Sequence, residues 1–433
     1  MGIVITNGRV INPATGLDSI ADLRIEGDRV VRIAGRIEAE EGDRLIDAAG
    51  CYVMPGFIDL HVHLREPGQT DKETVETGSM AAARGGVTTL VAMPNTKPVA
   101  DSPQIIDLVT KKAEECGMTH VLQAGSITKG MEGKELSDLS GMLERGIRAI
   151  SEDGKSVMDS GLLREAMKIA ADANIPVLAH CEDIRLVQGG VMNQGRRSGE
   201  LSVPGISNAV ENIIEARDIM LAEETGAALH LCHCSTKESY DLIREARAKG
   251  IRVSGEVCPH HFTLTEDDIP SSEDSNYKMN PPLRSKADRD ALIRGLSDGT
   301  FEVISTDHAP HTDEEKAEDF LHAPFGIVGL ETSASLTYTQ LVKTGYLTPM
   351  MMAEKMSYNP ARILHLDRGD ISEGKMADVV IFDPNTSYVV DPKDFYSKGH
   401  NTPFAGWTLE GVVRTTILDG RIVYTRTEEE IER

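Results

Sequence analysis

The chain has 433 residues, of which 40% are hydrophobic and 26% charged, as in a globular protein with a sizeable buried core. Its 45 Lys and Arg residues face 69 Asp and Glu residues, and the formal net charge of −24 argues against nucleic acid or an anionic membrane as a partner. The six cysteines form no C-x-x-C pair and no run of about 18 apolar residues occurs. We therefore predict a cytoplasmic protein with reduced thiols and no membrane span.

The two ends of the chain share a β-rich texture. Residues 1–54 and 366–433 are predicted as short strands separated by turns. An Asn-Gly pair at 7–8 and an Asp-Gly pair at 419–420 stand between β-branched residues, a pattern that favours hairpin turns. We predict that the two ends pair into one small β domain.

Residues 55–365 alternate short apolar runs with helix-like stretches. Helices are predicted over 160–174, over 208–226, where a glycine closes the pattern, and over 236–250. Repeated strand–helix units predict an α/β fold of the (β/α)₈ TIM-barrel type, although a doubly wound sheet would show the same alternation. The eight apolar runs are 56–63, 87–94, 119–126, 146–153, 175–182, 228–235, 251–257 and 301–308.

Histidine or aspartate closes five of these eight runs. The carboxyl ends of parallel barrel strands open onto one mouth, so side chains distant in sequence can converge there. The candidate metal ligands are His61, His63, Asp153, His180, His233 and Asp307.

The sequence His61-Val62-His63 places two imidazoles on one face of a strand. Imidazole and carboxylate ligands suit Zn²⁺ or a similar divalent ion. Six ligands exceed the need of one tetrahedral ion, so two ions sharing a bridging carboxylate and a hydroxide fit better. We predict His61, His63 and Asp307 on one ion, His180 and His233 on the other, and Asp153 between them.

Eight motifs, in chain order, resemble the amidohydrolase superfamily and, within it, the dihydroorotases of the first type. They are DLHVHLREPG (59–68), VAMPNTKP (91–98), ISEDGK (150–155), LAHCED (178–183), LHLCHCST (229–236), MNPPLR (279–284), STDHAPH (305–311) and APFGIVGLE (323–331). The resemblance implies a barrel with a β-sandwich built from both chain ends. It also implies the reversible interconversion of N-carbamoyl-L-aspartate and L-dihydroorotate, the third step of pyrimidine synthesis.

The same resemblance implies roles for individual residues. It implies two Zn²⁺ ions per subunit, held by the six residues above and bridged by Asp153 and a hydroxide, with Asp307 as the catalytic acid–base group. Arg65 offers a planar cationic fork that suits a substrate carboxylate. The implied substrate-binding residues are His63, Arg65, Asn95, Asn280, His311, Phe325 and Gly326. Relatives of this kind form homodimers, and some act with aspartate transcarbamoylase, so both are candidate partners.

Two alternative functions stay open. Allantoinases and dihydropyrimidinases are similar around DLHVHLREPG, but many of them bridge the metals with a carboxylated lysine, and their substrates lack the carboxylate that Arg65 would bind. A catalytically inactive scaffold relative is the second alternative. All six candidate ligands are present, which argues against it.

The stretch AISEDGKSV (149–157) offers two candidate bridges, Asp153 and Lys155. Strand alternation points Ser151 and Asp153 inward, and Gly154 is expected to turn the chain away from the mouth. A carboxylated lysine would carry the same single negative charge as aspartate but reach farther. We therefore predict that Asp153 is the bridge and that Lys155 leaves the site.

Overall fold

The structure is a computed structural model and describes residues 2–427. Met1 and residues 428–433, which were predicted as parts of the terminal β domain, lie outside the described residues. The strands are β1 (Ile3–Asn12), β2 (Leu17–Glu26), β3 (Arg29–Ala34), β4 (Arg44–Asp47), β5 (Tyr52–Pro55), β6 (Phe57–Val62), β7 (Val87–Ala92), β8 (His120–Gln123), β9 (Gly125–Ser126), β10 (Ile150–Ser151), β11 (Pro176–Ala179), β12 (Met192–Asn193), β13 (Gly205–Ile206), β14 (Ala228–Leu231), β15 (Val253–Val257), β16 (Val303–Ile304), β17 (Val379–Val389), β18 (Thr408–Leu418) and β19 (Arg421–Thr425).

The α-helices fall mainly between the central strands. They are α1 (Val75–Arg84), α2 (Pro103–Cys116), α3 (Leu139–Glu144), α4 (Ser160–Asp172), α5 (Arg196–Leu201), α6 (Ala209–Thr225), α7 (Lys237–Ala248), α8 (Pro259–Thr263), α9 (Lys286–Asp298), α10 (Asp313–Lys316), α11 (Ser333–Thr337), α12 (Pro349–Ala353) and α13 (Asn359–Ile363). None of the helices in the described part of the chain is both long and apolar enough to cross a membrane.

The chain ends meet in one mixed sheet, as predicted. Its strand order is β19-β18-β17-β5-β1-β2-β3, with β4 paired to β1. The junction is the antiparallel pair β5–β17, in which Val53 lies opposite Ile381. A hydrophobic cluster drawn from both ends, including Val53, Val379 and Ile417, fills one side of this sheet.

One predicted hairpin turn is wrong. Asp419 and Gly420, both at positive φ, do form the turn between β18 and β19. Asn7 and Gly8 instead lie inside β1, at a shift in its register with β2. Asn7 adopts φ 61°, and its N–H donates to Asp22 Oδ1 at 2.9 Å, so this pair makes a bulge rather than reversing the chain.

The central region is α/β with parallel strands, and each of the eight predicted apolar runs contains at least one of them. The predicted helices are confirmed as α4, α6 and α7. In α4, the Asp159 carboxylate caps the first turn by accepting from two backbone N–H groups, and Leu163, Ala166 and Ala170 form the buried face. Gly226, at φ 73°, ends α6 as the sequence predicted.

Two parallel sheets carry these strands. One has the order β6-β7-β8 and the other β16-β15-β14-β11-β10-β9. They meet twice: Ala124 N–H donates to Ala92 O at 2.9 Å, and Val62 pairs in parallel with His308. The carboxyl ends of the strands therefore face the same region of the molecule.

Phe382 in β17 anchors the terminal sheet to the central core. Its side chain is fully buried and lies 5.5 Å, between ring centroids, from Tyr338. We expect Phe382→Ala to lower the free energy of unfolding by about 3–5 kcal/mol, because a large buried ring is replaced by a cavity. Urea denaturation measures this loss. Leu45→Ala, at a side chain 61% exposed, is the control and should change stability by less than about 0.5 kcal/mol.

Candidate metal centre and substrate cavity

The structure brings all six predicted ligands into one cluster at the carboxyl ends of the strands. His61 belongs to β6 and His63 follows that strand directly. The other four residues come within three positions of the ends of β10, β11, β14 and β16: Asp153, His180, His233 and Asp307. All six are buried.

Asp153 occupies the centre of this cluster. One of its carboxylate oxygens, Oδ1, lies 3.1 Å from His61 Nε2, 3.4 Å from His180 Nδ1 and 3.5 Å from His233 Nε2. The other, Oδ2, lies 3.4 Å from His63 Nε2. The carboxylate therefore faces every histidine of the cluster, as the predicted bridge should.

Asp307 lies on one side of the cluster, next to the histidine pair of β6. Its Oδ1 is 3.1 Å from His63 Nε2 and 3.5 Å from His61 Nε2. Single ligand atoms of these three residues lie within 4.8 Å of one another, as do those of His61, Asp153 and His233. These two groups of potential ligands share His61.

The imidazoles are oriented from behind. His63 Nδ1 lies 2.9 Å from Asn95 Oδ1, and His180 Nε2 lies 3.4 Å from Glu182 Oε2. The other nitrogen of each of these two rings faces the centre, because hydrogen bonding to one nitrogen of a histidine fixes the orientation in which the other can bind a metal.

Several buried atoms in the cluster lack a hydrogen bond within the described residues. They include His61 Nε2 and Asp153 Oδ1, although these two atoms are only 3.1 Å apart. Buried polar atoms are nearly always satisfied, so their shared orientation toward one region fits a divalent cation.

The carboxylates in and around the cluster stabilise positive charge at its centre. Burial raises the pKa of the Asp153 carboxyl, but the surrounding imidazoles outweigh it and hold that pKa well below its usual range. Burial lowers the pKa of His180, but its contacts with the carboxylates of Asp153 and Glu182 prevail and raise that pKa to about 10. A cation bound at the centre satisfies the same preference.

Lys155 leaves the cluster, as predicted. Gly154 adopts φ 85°, which turns the chain after Asp153. The Lys155 ammonium then donates to Met131 O at 2.9 Å instead of facing the histidines.

A cavity of about 350 Å³ opens above the cluster. Its wall contains all the predicted ligands except His61 and all the predicted substrate residues except His311, with a few neighbours: His63, Arg65, Asn95, Asp153, Gly154, His180, His233, Asn280, Asp307, Ala309, Pro324, Phe325 and Gly326. His63 therefore lies both in the cluster and in the wall of the cavity.

Arg65 supplies the positive charge in this wall. Its Nε donates to Pro310 O at 3.1 Å, and Nη2 lies 3.2 Å from His311 Nε2. His311 Nε2 also lies 2.9 Å from Phe325 O. His311 thus lies behind Arg65 and Phe325 instead of lining the cavity.

The Phe325–Gly326 wall is held by two buried lysines. The Lys316 ammonium donates to Pro324 O and Gly326 O, each at 3.1 Å. The Lys278 ammonium lies 4.6 Å from the centroid of the Phe325 ring. These contacts tie the segment after α10 to the cavity.

Sequence reasoning missed two carboxylates of the site. Glu256 contacts His61 Nδ1 at 3.0 Å, and Glu182 joins His180 to Asn280, whose Nδ2 donates to Glu182 Oε1 at 2.8 Å. The signal for Glu256 was a carboxylate inside the apolar run 251–257, where an ionisable residue needs a partner.

Comparison with known proteins identifies a family. The model of the amidohydrolase family matches residues 52–423. The dihydroorotase of Geobacillus sp. (strain WCH70) is 45% identical over 429 residues, which cover 99% of this chain and all of that protein. The dihydroorotase of Pelotomaculum thermopropionicum is 47% identical over 423 residues, or 98% of each chain.

Solved structures with a similar fold are less similar in sequence. The L-hydantoinase (dihydropyrimidinase) of Arthrobacter aurescens has a TM-score of 0.88 at 26% identity, covering 98% of this chain and 96% of that one. The D-hydantoinase of Thermus sp. has a TM-score of 0.83 at 28% identity, covering 99% and 97%.

Proposed function

The chain belongs to the amidohydrolase family, and we propose that it interconverts N-carbamoyl-L-aspartate and L-dihydroorotate as a dihydroorotase. It is a hydrolase of cyclic amide bonds, a class supported by its nearly full-length identity of about 45% to dihydroorotases. The observation that carries the substrate assignment is Arg65, a buried cation in the wall of a cavity above a carboxylate–imidazole cluster. Dihydroorotate carries the carboxylate that such a cation binds, whereas hydantoin and dihydrouracil do not.

The cofactor in this proposal is a pair of Zn²⁺ ions per subunit. His61, His63 and Asp307 would hold one ion, His180 and His233 would hold the other, and the Asp153 carboxylate would serve both. The central position of Asp153 supports this division, because it faces the imidazoles of both sets. When bound, such ions would polarise the ring amide carbonyl and lower the pKa of a water molecule.

The residues of the chain then position the substrate and move the proton. Asp307 accepts the proton of the attacking water and passes it to the departing amide nitrogen, and in the cyclising direction it works in reverse. Arg65 binds the substrate carboxylate, Asn95 completes that pocket and Asn280 holds the carbamoyl part. His311 supports Arg65 from behind, which fits their 3.2 Å contact, and Phe325 and Gly326 close the wall.

The proposed architecture follows the family. The two parallel sheets form a (β/α)₈ barrel over residues 55–365, and residues 1–54 and 366–433 form the β-sandwich. Val62 ends β6, the first of the eight strands, and His308 follows β16, the last of them. Their parallel pairing supports closure of the barrel. A homodimer, an association with aspartate transcarbamoylase and a cytoplasmic location stay predictions from the resemblance and the composition.

A substrate panel tests the activity. We expect the zinc-loaded protein to interconvert dihydroorotate and carbamoyl-aspartate, and to leave allantoin, hydantoin and dihydrouracil unchanged. If the protein opens allantoin, hydantoin or dihydrouracil but turns over neither dihydroorotate nor carbamoyl-aspartate, an allantoinase or dihydropyrimidinase activity would replace this proposal. A chain inactive on every substrate should be retested with aspartate transcarbamoylase before the inactive scaffold is accepted.

Arg65→Met should lower kcat/KM for dihydroorotate by about 10–100-fold, mainly through KM. Charge-assisted hydrogen bonds of this kind contribute about 1.5–3 kcal/mol, and about 1.4 kcal/mol corresponds to a tenfold change. Steady-state kinetics in both directions measures the effect. Arg252→Met, at an exposed arginine bonded to Asn174, is the matched control. An unchanged KM in Arg65→Met would remove Arg65 from the carboxylate site.

A further inference from the structure

Glu256 lies beneath the cluster with a fully buried carboxylate, and both of its oxygens are engaged. Oε1 lies 3.0 Å from His61 Nδ1 and accepts the backbone N–H of His233 at 3.2 Å. Oε2 lies 3.1 Å from His230 Nε2. One side chain of β15 therefore contacts residues of β6 and β14 and the turn that follows β14.

The contact with His61 fixes the tautomer of that imidazole. An ionised carboxylate can only accept a hydrogen bond, so Nδ1 of His61 must carry the proton. Nε2 is then left with its lone pair toward Asp153, 3.1 Å away. This is the form in which a neutral histidine binds a metal.

The contact with His233 stabilises an unusual backbone conformation. His233 adopts φ 36°, in the left-handed region that non-glycine residues seldom occupy. Two bonds to Glu256 hold it there, because the Glu256 carbonyl also accepts the N–H of Cys234 at 2.9 Å. That turn directs His233 Nε2 to within 2.9 Å of His180 Nδ1.

The Glu256 carboxylate is itself held in place from below. His230 is fully buried, and its Nδ1 lies 2.8 Å from Ser254 Oγ. With Nε2 of His230 donating to Oε2, the carboxylate cannot rotate away from His61 without breaking a buried hydrogen bond.

We propose that Glu256 is a positioning residue that sets the affinity of both ion positions together. It fixes the tautomer of His61, assigned to one ion, and the turn of His233, assigned to the other. The inference rests on the two-ion centre of the proposed function, to which it adds a shared support outside the set of ligands.

Zinc affinity tests this role without relying on turnover. By competition with a chelator, Glu256→Leu should bind both ions about 100-fold more weakly and Glu256→Gln about tenfold more weakly, the range that outer partners of metal ligands span. The glutamine variant is expected to lose less, since its amide oxygen still accepts from His61 and His230 can exchange tautomers. In the Co²⁺-loaded proteins, the visible absorption bands of both variants should be shifted from those of the wild type, because the orientation of the ligands has changed.

Glu331→Gln is the matched control, because that carboxylate is 4% exposed and pairs with Arg84 away from the cluster. It should keep wild-type zinc affinity and Co²⁺ bands. A folded leucine or glutamine variant with wild-type affinity and bands would overturn the inference, and so would the weakening of only one ion. If the leucine variant does not fold, the glutamine variant decides. Failure of the wild-type protein to bind two zinc ions would instead overturn the proposed metal centre.

Discussion

Asp153→Ala is expected to lose both ions and with them all measurable activity. Asp153 faces His61, His63, His180 and His233. Its removal leaves these four buried imidazoles without the negative charge that lies between them. Outer partners of metal ligands are worth about 10–100-fold in affinity, and a direct bridging ligand should exceed about 100-fold. Metal content after gel filtration and the rate of dihydroorotate hydrolysis measure the two losses.

Lys155→Ala is the control, because Lys155 lies two residues after Asp153 in the same segment. Its ammonium donates to Met131 O, and we expect the variant to keep both metals and near wild-type activity. Metal loading that depends on bicarbonate, or loss of metal in Lys155→Ala, would mean that a carboxylated lysine makes the bridge. Such a result would group the chain with the lysine-bridged members of its family.

Asp307→Asn is expected to lower kcat by about 10²–10⁴-fold in both directions, the usual contribution of a positioned acid–base group. Asparagine keeps the size of the side chain and one carbonyl oxygen, but its amide cannot take up the proton of the attacking water. The rates should be measured at saturating zinc, with metal content determined on the same samples, to separate proton transfer from ligand loss.

Asp159→Asn provides the comparison for Asp307→Asn. Asp159 caps α4 at an exposed position, and asparagine is an equally good cap. This variant should retain its full activity. Near wild-type kcat in a fully metallated Asp307→Asn protein would require another residue to carry the proton.

The candidate ligands could be predicted because two regularities act together. Side chains two apart on a strand share a face, which pairs His61 with His63, and strand ends of a parallel sheet meet at one edge. Those rules need only the positions of the apolar runs. They brought Asp153 and His180 into the same site although no short motif contains both.

Other features depend on contacts that the local sequence does not contain. Asn7-Gly8 and Asp419-Gly420 have the same turn chemistry, but Asp22 binds the backbone of Asn7 and keeps it inside a strand. The apolar run around Glu256 signals a buried carboxylate, but its role as a support could not be predicted, because its partners lie in other strands. His311 was predicted on the cavity wall, and only the packing of Arg65 places it behind.

The junction between β5 and β6 has a consequence for biosynthesis. β5 ends at Pro55 and β6, which carries His61, starts at Phe57, so a single residue separates the terminal sheet from the metal-binding strand. The neighbour of β5 on one side is β17, which leaves the ribosome more than 300 residues later. Until then, β5 presents an unpaired edge on a nascent chain, and we expect the metal-binding strand to be anchored only after β17 has been synthesised.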